Sequence, residues 1–279
     1  MNTDQEEFWD VSAGPAWVAL QEQMDALMQP VLDLVLTHAS LTPGMRVLDI
    51  GCGTGASVLD ALEQVGEDGH VTGVDIATSM LALAQSRLDG RTNTDLIKAD
   101  AQGHSFEGPL YDALISRFGV MFFDDSAAAF ANMGRALEPG GVMTFAAWGP
   151  APQNPFFMDP AAAAAEVLGR MPKVDRSLPG PFAFEDAERT CAMLETAGLV
   201  EIEADEIDLH LTPQGSLTDV ANLCCDIGPA DRALRHFEAD EAQRAALGTA
   251  IAARFAAYVQ GDRVRIPACI NLFTARKSA

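Results

Sequence analysis

The chain has 279 residues, 48% of them hydrophobic, enough to bury a full core as one domain or as one domain with a cap. Its 40 acidic residues outnumber 18 basic ones for a net charge of -22, and no Lys/Arg cluster is visible. That balance argues against a nucleic-acid substrate and against an anionic membrane surface, since both are bound through basic faces.

The first ten residues are acidic and lack the basic and apolar regions of a signal peptide. No uncharged stretch reaches the about 18 apolar residues of a spanning helix. Five cysteines without a C-x-x-C pair suit reduced thiols, so a cytoplasmic location and no metal site are expected.

In chain order, Trp17, Leu20, Met24, Leu27, Met28, Val31, Leu34 and Val35 advance by three or four residues. They form one helical stripe, with Pro30 kinking it or opening a second helix. Val47 to Gly55, VLDIGCGTG, follows as a short buried strand and three glycines at every second residue. Gly51, Gly53 and Gly55 let the backbone turn sharply against a ligand, and helical spacing from Ala56 to Val65 puts a helix N-terminus beside the turn. A dinucleotide fingerprint needs G-x-G-x-x-G, whereas here Ala56 stands where the third glycine would fall. Asp49, at the end of the strand, would repel a pyrophosphate and attract an ammonium or sulfonium; it can equally serve only to cap the glycine loop.

Further strands are expected near 71–75, 94–98, 111–116 and 141–147, with helices over Thr78–Leu88 and Ala127–Leu137 between them. Alternating strands and helices predict a doubly wound α/β fold whose motif loops share one sheet edge. After Trp148, the proline-rich GPAPQNPFFMDP reads as a connector, Ala161–Met171 as a helix and PKVDRSLPGPF as a loop near the mouth of the site. Phe184–Ala197 has helical spacing and VEIEADEIDLHLT alternates as a strand, with Glu201, Glu203 and Asp205 on a solvated face. Helices resume over Ser216–Gln260, and Val264–Lys277 is the last strand.

The D-x-G-x-G-x-G run, followed by VTGVDIA, IKADAQ, YDALISRFGVMFF and LEPGGVMTFAAW, resembles the class I S-adenosylmethionine-dependent methyltransferases over residues 42–148. The resemblance implies a seven-stranded, mostly parallel sheet, with the last strand antiparallel between the fifth and sixth. It also implies N-terminal helices acting as a lid over residues 1–41, a core over 42–209 and 263–279, and a helical cap insertion over 210–262. On this reading Asp49, Gly51, Gly53 and Gly55 form the cofactor loop, and Asp75 takes the ribose hydroxyls. Ile76 packs on adenine, while Asp100 and the Ala101 amide receive its edge. Arg117, after the fourth strand, binds a cofactor or substrate carboxylate, or pairs with Asp124 or Asp125. VDIATSMLALAQ is similar to the quinone C-methyltransferases, a similarity that does not extend through the cap.

No catalytic residue is fixed by the sequence, with Arg117 and His104 the candidates. Trp9 and Trp17 are expected to wall the pocket, with Phe118, Phe122 and Trp148 giving it an apolar or aromatic lining. The expected enzyme methylates a small molecule with S-adenosyl-L-methionine, as a single chain or a homodimer. The rivals are a non-catalytic module binding S-adenosylmethionine or S-adenosylhomocysteine, and an NAD-dependent oxidoreductase.

Overall fold

The computed structural model describes every residue except 1, 2, 174 and 177; the last two belong to the loop expected near the mouth. The N-terminal section comprises α1 (Thr3–Glu7), a π-helical turn (Phe8–Ala13), α2 (Gly14–Ala19) and α3 (Gln21–Ala39). Pro30 lies inside an unbroken α3, and the break falls instead at Leu20, whose φ of -106° and ψ of 18° leave the helical region. The stripe of α3 is buried at Met24, Leu27, Met28, Val31 and Val35 and part-buried at Leu34, and the helix packs on the sheet.

The core runs β1 (Arg46–Ile50), α4 (Ala56–Val65), β2 (His70–Asp75), α5 (Thr78–Arg87), β3 (Thr94–Lys98), β4 (Tyr111–Arg117), α6 (Ser126–Ala136) and β5 (Leu137–Trp148). Leu137 to Gly140 belong to β5 rather than ending the preceding helix, because Leu137 pairs with Tyr111 at the start of β4. The second half holds α7 (Pro155–Val167), α8 (Ala187–Thr196), β6 (Leu199–Leu211), α9 (Leu217–Asp226), α10 (Gly228–His236), α11 (Glu241–Phe255), a short hairpin of β7 (Val259–Gln260) and β8 (Arg263–Val264), and β9 (Ile266–Lys277). The helical reading over 216–260 therefore overran the hairpin.

The main sheet has seven strands in the order β3-β2-β1-β4-β5-β9-β6. β9 lies antiparallel between β5 and β6, and the pairings among β1 to β5 are parallel. Helices cover both faces, which is why β1 and β4 read as nearly continuous apolar runs. The chain leaves β1 toward one side and β4 toward the other. Such a switch opens a crevice beyond the strand C-termini.

The proline-rich stretch after β5 is only partly a connector. Pro155 occupies the first turn of α7, where a missing N–H costs nothing, and Pro160 lies inside the helix. The segment is pinned by the buried Asn154, which donates to the Gly149 and Pro150 carbonyls and accepts from the Cys269 amide. α8 starts at Ala187, later than the spacing suggested, because Asp186 accepts from the Arg189 amide as its cap. Capping boxes at Ser216 and Asp240 start α9 and α11, each cap being worth about 1 kcal/mol. α10 and α11 each pack on α9 and on α7.

Candidate active site

The glycine turn after β1 is tied to the strands on either side. The Gly51 and Cys52 amides donate to the Val74 carbonyl of β2 at 2.8 and 3.2 Å. On the other side, Ser116 Oγ donates to the Ile50 carbonyl at 2.6 Å and accepts from the Gly119 amide. Gly51 has φ +71°, and a Cβ there would stand 2.5 Å from Gly119 Cα. Two loops thus meet backbone to backbone, which no larger residue permits. Gly55, at φ +86°, precedes α4 and packs on Ala84.

This turn forms one wall of a cavity of about 1140 Å³ over the switch point. A site for one small ligand typically spans about 300–1,000 Å³, so this one is large enough for two. Gly51, Gly53, Asp75, Ile76, Asp100, Ala101 and Arg117 all line it, as do Trp9, Trp17, Phe118, Phe122 and Trp148. Asp49, Gly55 and His104 do not. Asp49 is 0% exposed beneath the loop and accepts from Ser57 Oγ at 2.5 Å; Ser57 itself reaches the cavity. His104 sits edge-on to Phe106 at 4.8 Å, apart from the site it was expected to serve.

Asp75 is held by the Gly53 and Ala77 amides, each at 2.8 Å. Burial raises its pKa above the ordinary carboxylate value, opposed by those backbone donors. Burial also pushes Asp49 up to about 7, although the Ser57 hydroxyl and the Arg117 charge pull the other way. Arg117 is lowered by burial, partly offset by Asp25, Asp49 and Asp60. Its Nη1 is buried without a hydrogen-bond partner, and it pairs with neither Asp124 nor Asp125. Asp125 instead caps α6 through the Ala128 amide.

The far wall is aromatic. Phe118, at φ +67°, lies flat on Trp148 with centroids 4.3 Å apart and planes 6° apart. A left-handed phenylalanine is strained and is held only by its surroundings. Phe157 stands edge-on to Trp148 at 4.9 Å, and Phe182 edge-on to Phe157 at 5.1 Å. Above the cavity, Trp9 meets Phe122 and Trp17 edge-on. Asp10 binds the Thr78 amide at the start of α5 and faces Lys98, while Ser12 accepts from Arg235 of α10 at 2.6 Å. The N-terminal section thereby joins the core to the helices of the second half.

Several lining residues carried no sequence signal. Asp25, paired with Arg87 at 2.8 Å, reaches the site from α3. Lys173, Arg176, Asp226, Asp231, Arg232 and Arg235 arrive from the mouth loop and from α9 and α10. Ser57 could have been found, since it lies in the first turn of the helix that the glycines introduce. Among the described residues no histidine lines the cavity, no group of side chains is arranged to hold a metal, and no helix is long and apolar enough to cross a membrane.

Residues 47–141 match the methyltransferase domain family. Aklanonic acid methyltransferase DauC of Streptomyces sp. (strain C5) is 38% identical over 104 residues, 37% of this chain and 47% of its own. Demethylmenaquinone methyltransferase of Staphylococcus aureus (strain MRSA252) is 32% identical over 109 residues, 39% of this chain and 45% of its own. The chain thus spans less than half the length of either relative. Phosphoethanolamine N-methyltransferase 2 of Haemonchus contortus, solved with S-adenosyl-L-methionine, superposes with a TM-score of 0.60 at 19% identity, covering 98% of this chain and 60% of that one. At that identity the likeness concerns the fold.

Proposed function

We propose that this chain, whose core is a class I S-adenosylmethionine-dependent methyltransferase domain, transfers a methyl group to an apolar or aromatic small molecule. The observation that carries the reading is the meeting, at one sheet edge, of the Gly51–Gly53 cradle, the Asp75 and Asp100 strand ends, and an unpartnered Arg117 nitrogen. A Cβ at Gly51 would push the loop off Gly119 and spoil the cradle's shape, and a buried guanidinium nitrogen without a partner is costly until an anion meets it. These residues fit S-adenosylmethionine. The glycine backbone holds its amino-acid end and Arg117 its carboxylate. Asp75 takes the ribose, while Ile76, Asp100 and Ala101 take adenine. Asp49 acts from beneath the loop, through its charge and through Ser57.

When bound, the cofactor supplies an electrophilic methyl group on a sulfonium. The chain's contribution is placement and exclusion of water, which can supply much of the acceleration of an in-line displacement. Phe118 and Trp148 offer a flat face to the acceptor, and Trp9 and Trp17 cover it. The two curated relatives, by name methyltransferases of aklanonic acid and demethylmenaquinone, support a small-molecule acceptor.

The test is thermal denaturation with S-adenosylhomocysteine, S-adenosylmethionine and NAD in parallel, followed by transfer of labelled methyl to candidate acceptors. An adenosyl ligand at 100 times its dissociation constant should add about 2.7 kcal/mol of stability. A shift with NAD alone would overturn the reading, and binding without transfer to any acceptor would leave a binding module.

A further inference from the structure

The acceptor side of the cavity reverses the charge balance of the chain. Acids outnumber bases more than two to one overall, yet the mouth is lined by four bases, Lys173, Arg176, Arg232 and Arg235, against three acids, Asp175, Asp226 and Asp231. Asp226 is engaged by Arg244, and Asp231 by Arg235. Arg176 faces Glu185 at 3.7 Å and lies over the Phe182 ring. Asp175 is engaged as well, which leaves Lys173 and Arg232, both exposed, and among the described residues neither has a hydrogen-bond or ion-pair partner. In a chain so rich in carboxylates, two free cations on one cavity rim form a local field that selects for anions.

Resting on the methyltransferase reading, we infer that the acceptor is an organic anion: a flat apolar body with a carboxylate or similarly charged group. The body lies on the Phe118–Trp148 face, and the anionic group meets Lys173 and Arg232 at the mouth. The apolar surface continues outward to that rim, where Leu178 is 57% exposed. An amphiphilic anion would cover this patch while its charge stays among the cations. Arg117 is not available to it, since the cofactor carboxylate takes that nitrogen.

A matched pair of probes tests this. Binding of 2-naphthoate and of neutral, isosteric 2-naphthamide is measured by tryptophan fluorescence with S-adenosylhomocysteine saturating. The wild type is compared with the double variant Lys173→Gln, Arg232→Gln, which alters only exposed side chains. Naphthoate should bind about fivefold tighter than naphthamide, as expected of two exposed cations. That preference should vanish in the double variant and at about 1 M salt. Equal affinities in the wild type, a preference that survives the double substitution, or binding of neither probe would each overturn the inference. Calorimetry with S-adenosylhomocysteine on the same samples separates the two failures. No binding of it overturns the methyltransferase reading, whereas binding without the anion preference overturns only the inference about the acceptor.

Discussion

The two halves of the cavity are built from different materials. The half beside β1, β2 and β3 is made of backbone and strand ends: Gly51 against Gly119, Asp75 on the Gly53 and Ala77 amides, and the Gly51 and Cys52 amides on Val74. The half beyond Trp148 is made of side chains from four separate segments: Phe157 on α7, Phe182 on the mouth loop, Arg232 on α10 and Trp9 on the N-terminal π-helical turn. A site whose backbone itself is the binding surface tolerates little change. One assembled from projecting rings can be altered ring by ring. The first half therefore suits a ligand that never varies, and the second suits an acceptor that evolution can exchange.

The sharpest way to break this contrast is at Gly51. Gly51→Val places a branched side chain at φ +71° and drives it into the Gly119 backbone. Left-handed strain and overpacking together should cost about 4 kcal/mol, read as a lowered midpoint in urea, and should abolish S-adenosylhomocysteine binding. Near-native stability would mean that the two loops are not locked together.

Asp49 gives the next largest effect, and one with a definite sign. Its folded value of about 7 lies above the ordinary 3.8, so the folded form holds its proton more tightly than the unfolded chain. The stability this contributes is complete below pH 3.8 and is lost as pH rises through about 7, by at most about 4 kcal/mol. Asp49→Asn removes the titration. The difference in thermal midpoint between variant and wild type should therefore widen in the variant's favour from pH 5 to pH 8. A constant difference across that range would mean that Asp49 stays ionised throughout.

Substitutions on the cofactor side should separate binding from folding. Asp75→Asn keeps an acceptor for one backbone amide but loses the charge, and should weaken S-adenosylhomocysteine binding about 30-fold by calorimetry. Arg117→Gln should weaken it about tenfold while leaving the unliganded protein as stable or slightly more so, since a buried charge without a partner is removed. A loss of stability in Arg117→Gln would show that the guanidinium serves the fold.

The same contrast explains what could be read from the chain. Asp75 ends β2 and Asp100 follows β3 by two residues, so their meeting at one sheet edge follows from right-handed crossovers. The insertion of β9 between β5 and β6 was legible only through the resemblance to the class I methyltransferases, because nothing in the pattern of either strand fixes which neighbour it takes. Asp49 was legible as a residue but not in its depth, because whether a strand-end carboxylate faces the ligand or lies beneath the loop depends on the turn of one peptide. Asp25, Phe182 and Arg232 were not legible at all. Each belongs to a helix or loop whose local pattern is ordinary, and each reaches the cavity only through packing against another segment of the chain: Asp25 on Arg87, Phe182 on Phe157, and the helix of Arg232 on α7. The misplaced start of α7 has a similar origin: Asn154 decides the path of the prolines through a bond to Cys269, far along the chain.

The smallest effect is expected on the aromatic wall, and it tests whether that wall is as separable as its construction implies. Phe182 is only partly buried, touches Phe157 edge-on and lies under the Arg176 guanidinium, all on the acceptor side. Phe182→Ala removes one ring contact, worth about 1 kcal/mol. Affinity for 2-naphthamide should fall about fivefold, with S-adenosylhomocysteine affinity and the thermal midpoint almost unchanged. If cofactor affinity fell in step with that of the aromatic probe, the two halves would share one packing unit. The acceptor wall could not then be altered without disturbing the glycine loop.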